Sequence, residues 1–168
     1  MATVNVAYAA DAQLTITLTG LATSSDFTAG RESTAVDNSS TLYVDALLSG
    51  KITVGTTPTI TTQILVYVFS PINDTPTYPD VMDGTDSAET ITSAGVGRGF
   101  LKLAAVLDVS ATTSDRVYPF GQVSIAQLFG GVMPKTWAVF VTHNTGVNLN
   151  ITATNHEISY QGITYTVA

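Results

Sequence analysis

Apolar and polar residues alternate one for one over much of this chain, and that period confines it to β-structure. In Gln13 to Thr19, Leu14, Ile16 and Leu18 alternate with Gln13, Thr15, Thr17 and Thr19. Successive strand residues point to opposite faces, so this segment reads as a strand with one dry and one wet face. Thr61 to Phe69 differs, because Ile64, Val66 and Val68 point one way and Leu65, Tyr67 and Phe69 the other. A strand apolar on both faces is expected to be central and covered on both sides. Phe100 to Val109, Arg116 to Ser124 and Thr136 to His143 read as further strands, the last with Trp137, Val139 and Val141 on one face. Pro119 cannot donate to a ladder and sends its strand to an edge. Asn144-Thr145-Gly146 has the chemistry of a tight hairpin turn leading into Val147, Leu149 and Ile151. His156 to Val167 is a last strand, or two strands bent about Gly162.

Less regular pieces complete the pass. Lys51 to Val54 is a short strand closed by Gly55-Thr56-Thr57-Pro58, Leu42 to Leu48 fits a strand or a helical turn, and Ile125 to Phe129 fits one helical turn. The total is about eight short strands with almost no helix, the count of a two-sheet antiparallel β-sandwich of jelly-roll-like type. The expected fold class is therefore all-β. At 168 residues, one domain spanning 1–168 suffices. Residues 1–11 lack clear patterning and read as an N-terminal arm that orders on assembly. Residues 70–99 hold Pro71, Pro76, Pro79, several Asp and four Gly, and read as a long loop region. Loops of that length often touch partners.

Charge narrows the function classes. Only 11% of residues are charged, so Thr, Ser, Asn and Gly must cover the surface. A weakly charged, Thr-rich surface suits a protein whose subunit contacts replace charge repulsion. The net charge is -7, and the six basic residues, Arg31, Lys51, Arg98, Lys102, Arg116 and Lys135, are scattered singly. That disfavours binding to nucleic acid and to anionic membrane surfaces. There is no cysteine, so packing rather than disulfides or thiolate metal sites must supply stability. Met1 to Ala12 has neither a basic n-region nor an apolar h-region, so no secretory leader is expected.

The residue types that carry chemistry do not form a catalytic pattern. His143 and His156 are the two histidines, and with Glu157 they lack the spacing of a zinc site. Asp80, Asp83, Asp86 and Glu89, with Gly84, offer oxygen ligands of the kind calcium takes, but not at EF-hand spacing. Asp and Gly are equally the residues of solvated turns. Gly-x-Ser-x-Gly is absent. Gly95-Val96-Gly97-Arg98-Gly99 lacks the Lys-Ser/Thr of a phosphate loop and reads as a mobile Gly-rich connection. Trp137, Tyr67, Tyr78, Tyr118, Tyr160 and Tyr165 would suit a sugar-stacking platform, yet aromatics at strand period are commonly core or interface anchors. Tyr78 and Tyr118, beside prolines, are expected to be the exposed ones. No catalytic residue, resident metal or cofactor is assigned, and an enzyme is not expected.

Several segments resemble those of small virion proteins encoded among the head and tail genes of tailed bacteriophages. They are Thr28 to Asn38, Asn73 to Asp80, Asp83 to Thr90 and Phe129 to Lys135, followed directly by the strand from Trp137 to Asn144. None is a catalytic signature, and the resemblance rests on their order. It implies a non-enzymatic structural protein of the virion, made in the host cytoplasm, with a capsid decoration or cement protein as first choice. It also implies the major capsid protein or other virion proteins as partners, and a homo-oligomer, a trimer first. The alternative is a carbohydrate- or host-receptor-binding β-sandwich module of a phage fibre or tail accessory.

Overall fold

A computed structural model of the chain describes residues 2–167. The described residues form ten strands and two short α-helices. The strands are β1 (Val4–Gln13), β2 (Ala29–Glu32), β3 (Val36–Asp37), β4 (Asp45–Thr53), β5 (Thr62–Phe69), β6 (Ala88–Thr90), β7 (Lys102–Val109), β8 (Val117–Ser124), β9 (Thr136–His143) and β10 (Glu157–Val167). The helices are α1 (Ala94–Phe100) and α2 (Ile125–Leu128). One sheet runs β1-β10-β4-β8 and the other β6-β2-β9-β5-β7, with β3 continuing β2 along β9. All pairings are antiparallel.

The order is nested. β1 pairs with β10, β2 with β9, β4 with β8 and β5 with β7. Such nesting is that of a long antiparallel hairpin wound over itself, the jelly-roll arrangement of a β-sandwich. The expected all-β, two-sheet class holds, but the ten strands are a different set: β1, β2, β3 and β6 are added, residues 14–18 and 147–152 form no strand, and two expected pieces merge into β4.

The two sheets meet through side chains of one parity. Ile64, Val66 and Val68 of β5 and Trp137, Val139 and Val141 of β9 face Ala46, Leu48 and Ile52 of β4 and Ile158 of β10, all fully buried. Each such residue contributes on the order of 2 kcal/mol by leaving water. Trp137 meets Tyr160 edge to face at 5.1 Å between ring centres. The opposite parity of the same strands builds a second, smaller core. Phe69, Ala138 and Phe140 are covered there by Met82, Ile91 and Leu101 from the 70–101 segment. The two apolar faces read from Thr61 to Phe69 are therefore both used.

Several local expectations need correction. Residues 1–11 are no unpatterned arm: from Val4 onward they form β1, bonded along its length to β10, while Met1 lies outside the described residues. Residues 14–18 alternate in burial but make no ladder, because the chain crosses there from one sheet to the other. Leu42 to Leu48 and Lys51 to Val54 merge into the single strand β4. The Asn144-Thr145-Gly146 turn joins no hairpin: β9 is flanked by β2 and β5, and residues 147–152 cross back, bridging Leu149 to Val54 and exchanging backbone bonds with Gly20 and Leu21 of the other crossing segment. The Gly-rich run 95–99 is helical. Ser93 caps α1 by accepting from the Val96 N–H, and Gly97 lets the helix press onto Ile91, whose Cδ1 would lie 2.6 Å from an added Cβ. The 70–99 region thus contains α1 and β6 and packs a core of its own. Pro119 does sit on an edge strand, β8.

Gly50 marks how closely the first sheet is packed. A Cβ there would fall on the Glu157 carbonyl oxygen and within 3.0 Å of the Phe120 ring. Gly50→Val is expected to lower the unfolding free energy by about 2 kcal/mol or more. Urea unfolding measures it, and an unchanged midpoint would mean that Phe120 does not lie over position 50.

Candidate functional site

The two histidines are structural. His143 ends β9 fully buried, with Nε2 at 3.0 Å from the Leu21 carbonyl and Nδ1 at 3.0 Å from Thr145 Oγ1. A carbonyl only accepts, so Nε2 carries a proton. Burial pushes its pKa down to about 4, against a weaker upward pull from the Leu21 carbonyl. His156 is also buried; it donates from Nε2 to the Asn150 carbonyl at 2.9 Å and accepts the Thr53 N–H at Nδ1. Its pKa is likewise lowered by burial. Both rings tie crossing loops to strand ends. Neither bonds a carboxylate, and Glu157 pairs instead with Lys51 at 3.3 Å.

The acidic loop divides its work. Asp80 holds the N–H and hydroxyl of Thr92 at 2.7 and 2.6 Å. Asp86 binds Arg31 Nε at 2.6 Å and the N–H and hydroxyl of Thr17. Burial alone would raise the Asp86 carboxyl, but Arg31 and Thr17 hold it below the usual range. Asp83 and Glu89 turn toward Glu32, a residue that no sequence motif singles out. Oxygens of these three carboxylates lie within 4.8 Å of one another. Glu32 is fully buried, and its Oε1 accepts the N–H groups of Asp83, Gly84 and Thr85 at 3.0, 3.0 and 3.3 Å. Its other oxygen, Oε2, is buried without a hydrogen-bond partner. Burial and then Asp83 push the Glu32 carboxyl up to about 7, while bonds from Glu32 and Thr85 lower that of Asp83.

The aromatics do not gather into a platform. Trp137 is fully buried and Tyr118 nearly so, while Tyr67, Tyr78 and Tyr160 are half-buried against the cores. The expectation that Tyr78 and Tyr118 are exposed is corrected: Tyr78 packs edge-on to Phe69 and covers Gly84. The open rings are Tyr8 and Tyr165.

Those two rings belong to the most distinctive surface of the molecule. β4 begins at Asp45, opposite Ile163, so Thr164 to Val167 have only β1 beside them. Beyond that point β1 and β10 form a two-stranded ribbon. Directly opposed residues share a face. Val4 opposes Val167, Val6 opposes Tyr165 and Tyr8 opposes Ile163, so six large apolar side chains line one face. Val4, Val6, Tyr8, Tyr165 and Val167 are 62, 55, 61, 62 and 72% exposed. The other face carries Asn5, Ala7, Thr164 and Thr166.

The parity of β10 explains this surface. Ile158 and Tyr160 point into the sandwich, while Ile163, Tyr165 and Val167 have the other parity and point out. The register of β10 against β4 runs unbroken through Gly162, where the Tyr43 ring closes over the backbone. The apolar residues therefore change face, not the strand. Protection by charge is missing too: Val4 to Ala10 and Ile163 to Val167 contain no charged residue and no proline. An edge strand without charge or proline is open to pairing. Beside the ribbon a groove of about 690 Å³ is lined by Val44, Gln127, Gly131, Ile163 and Tyr165.

Comparison with family models, with curated proteins and with solved structures gives no match to this chain. The functional reading therefore rests on its own residues.

The buried imidazole of His143 sets an acid limit on stability. It is neutral in the fold and charged in the unfolded chain once pH falls below its ordinary value of 6.5, so stability is lost from there down to about 4. His156 acts in the same direction, and Glu32 in the opposite one, costing stability as pH rises toward 7. Between about pH 7 and pH 4.5, His143→Gln is expected to remove an acid-side loss of up to about 3 kcal/mol relative to wild type. Urea unfolding of both proteins at the two pH values checks this, and parallel losses would refute it.

Proposed function

We propose that this chain is a non-enzymatic structural protein of a tailed-phage virion, a capsid decoration or cement protein that holds to the head shell by protein contacts. The observation that carries the reading is the apolar outer face of the β1/β10 ribbon. Of the other exposed large apolar residues, Leu42, Ile72 and Ile151 lie apart on loops, and Leu103, Val106 and Val117, on β7 and β8, are less exposed than those of the ribbon. Those of the ribbon are contiguous, with about 500 Å² of largely apolar surface left open, the size of patch that marks an interaction site. Covered by a partner of like area, it reaches the ~1,000 Å² that a specific interface needs.

A jelly-roll sandwich supports such a role physically. Its two sheets are rigid, and a ribbon growing from the end of one sheet can reach a neighbour without disturbing the core. The low charge of the ribbon removes like-charge repulsion at a contact of a chain whose net charge is -7. The polar groups deep in the fold support the same reading, since both histidines are spent on carbonyls and hydroxyls of crossing loops. The resemblance of Thr28 to Asn38 and the other quoted segments to phage virion proteins supplies the partner: the major capsid protein or another head protein. A homotrimer is the assembly proposed for the decoration unit.

The test is the protein content of purified particles of the phage that encodes the chain, together with rebinding of the isolated protein to stripped shells. The chain is expected to sediment with the shells and to rebind them. Val6→Lys combined with Tyr165→Glu is expected to cut rebinding at least about tenfold, with the melting temperature nearly unchanged because both sites are exposed and the two opposed charges attract. Absence from the particles would defeat the virion assignment. Full rebinding by the double variant would defeat the role given to the ribbon.

A further inference from the structure

We propose that Glu32, Asp83 and Glu89 form a binding site for a hard divalent cation, calcium in preference to magnesium, that clamps the 79–92 segment onto the second sheet. This inference is independent of the virion reading.

The topology brings the three together from distant parts of the chain. Glu32 ends β2, Asp83 lies in the loop before β6, and Glu89 sits in β6, which pairs with β2 through Gly30. The Glu32 N–H donates to the Ser87 carbonyl, so the loop is already laid against the strand. Hydroxyls crowd the same place. Ser87 Oγ is 2.8 Å from Glu89 Oε1 and 3.4 Å from Glu32 Oε1, and Thr85 Oγ1 is 2.6 Å from Asp83 Oδ1.

Two observations point to a cation. The first is charge: three carboxylates converge within 4.8 Å, and among the described residues none of them has a lysine or arginine within ion-pair distance. The nearby guanidinium, Arg31, is engaged by Asp86. The second is the buried Oε2 of Glu32. Three backbone N–H groups satisfy Oε1, while Oε2 is shut away from water with no donor. A buried carboxylate oxygen without a partner is costly, and buried charges are paired or coordinate metals. A proton shared between Glu32 and Asp83 would serve one pair, but it would leave Glu89 uncompensated.

The donor set selects the ion. All donors are carboxylate and hydroxyl oxygens, with no nitrogen or sulfur, which disfavours zinc. Calcium accepts irregular shells of six to eight oxygens, whereas magnesium demands near-octahedral geometry and keeps its water. A site built from a buried strand end and an irregular loop meets the first requirement and not the second. Asp80 and Asp86 stay outside the site, because each is already committed to a threonine, and Asp86 also to Arg31.

The experiment uses the full chain stripped with chelator, with calcium chloride or magnesium chloride added at about neutral pH. Melting temperature and calorimetric heat are read together. Calcium is expected to bind at one site and raise the melting temperature in a saturable way, with magnesium at least about tenfold weaker. Glu89→Gln, on a short exposed edge strand, is expected to weaken calcium binding at least about tenfold while the chain still folds. Glu32→Gln is expected to abolish binding while its amide oxygen keeps the three N–H bonds. Asp11→Asn, on the opposite sheet, is expected to leave calcium binding intact and so controls for general charge screening. No calcium-dependent heat or shift, equal responses to calcium and magnesium, or full binding by Glu89→Gln would each overturn the proposal.

Discussion

The burial of β9 between two apolar layers is the constraint on which the rest of the structure depends. Seven consecutive residues, Trp137 to His143, are buried. Trp137, Val139 and Val141 face the opposite sheet, and Ala138 and Phe140 face the cover built by residues 78–101. A strand that is dry on both sides must have neighbours on both edges and a layer on each face. The sandwich supplies one layer. The Pro- and Gly-rich segment must supply the other, and for that reason it folds into α1 and β6 rather than remaining open. Its ties to β2, through Glu32 and through Arg31 with Asp86, are what hold this cover in place.

The same alternation that builds the core also builds the ribbon, with the opposite sign. Inside the sandwich β10 turns Ile158 and Tyr160 inward; past Gly162 its apolar residues point outward. A register slip would have restored them to the inner face at the cost of the ladder. The hydrogen bonds to β1 and β4 prevent it, since each unpaired backbone group would carry its own penalty. The consequence is an apolar face that the chain itself never covers. The core and the exposed apolar face are thus two outcomes of one strand whose side-chain parity changes while its backbone does not.

Buried polar groups appear where the chain leaves one sheet for the other. His143 reaches Leu21, His156 reaches Asn150 and Thr53, and Asn150 is held by Asp115. Crossing segments expose backbone carbonyls that no ladder satisfies, and side chains from strand ends take them up. These residues look like chemistry when read as types and behave as fastenings when read in place.

Much of the strand content was legible from the period of two, because that period reports which side chains share a face and needs no knowledge of neighbours. Pro119 announced an edge strand for an equally local reason, its missing donor. The parity change between Tyr160 and Ile163 was also written in the chain, though its meaning was not, since alternation does not say which face lies inside. Tertiary structure alone decided that residues 14–18 and 147–152 cross between sheets, that Gly95 to Gly99 coil against Ile91, and that Glu32 meets Asp83 and Glu89 across more than fifty residues of sequence. Those outcomes depend on ladder partners and packing layers supplied from far along the chain, and a local pattern fixes the face of a residue without fixing what stands opposite it.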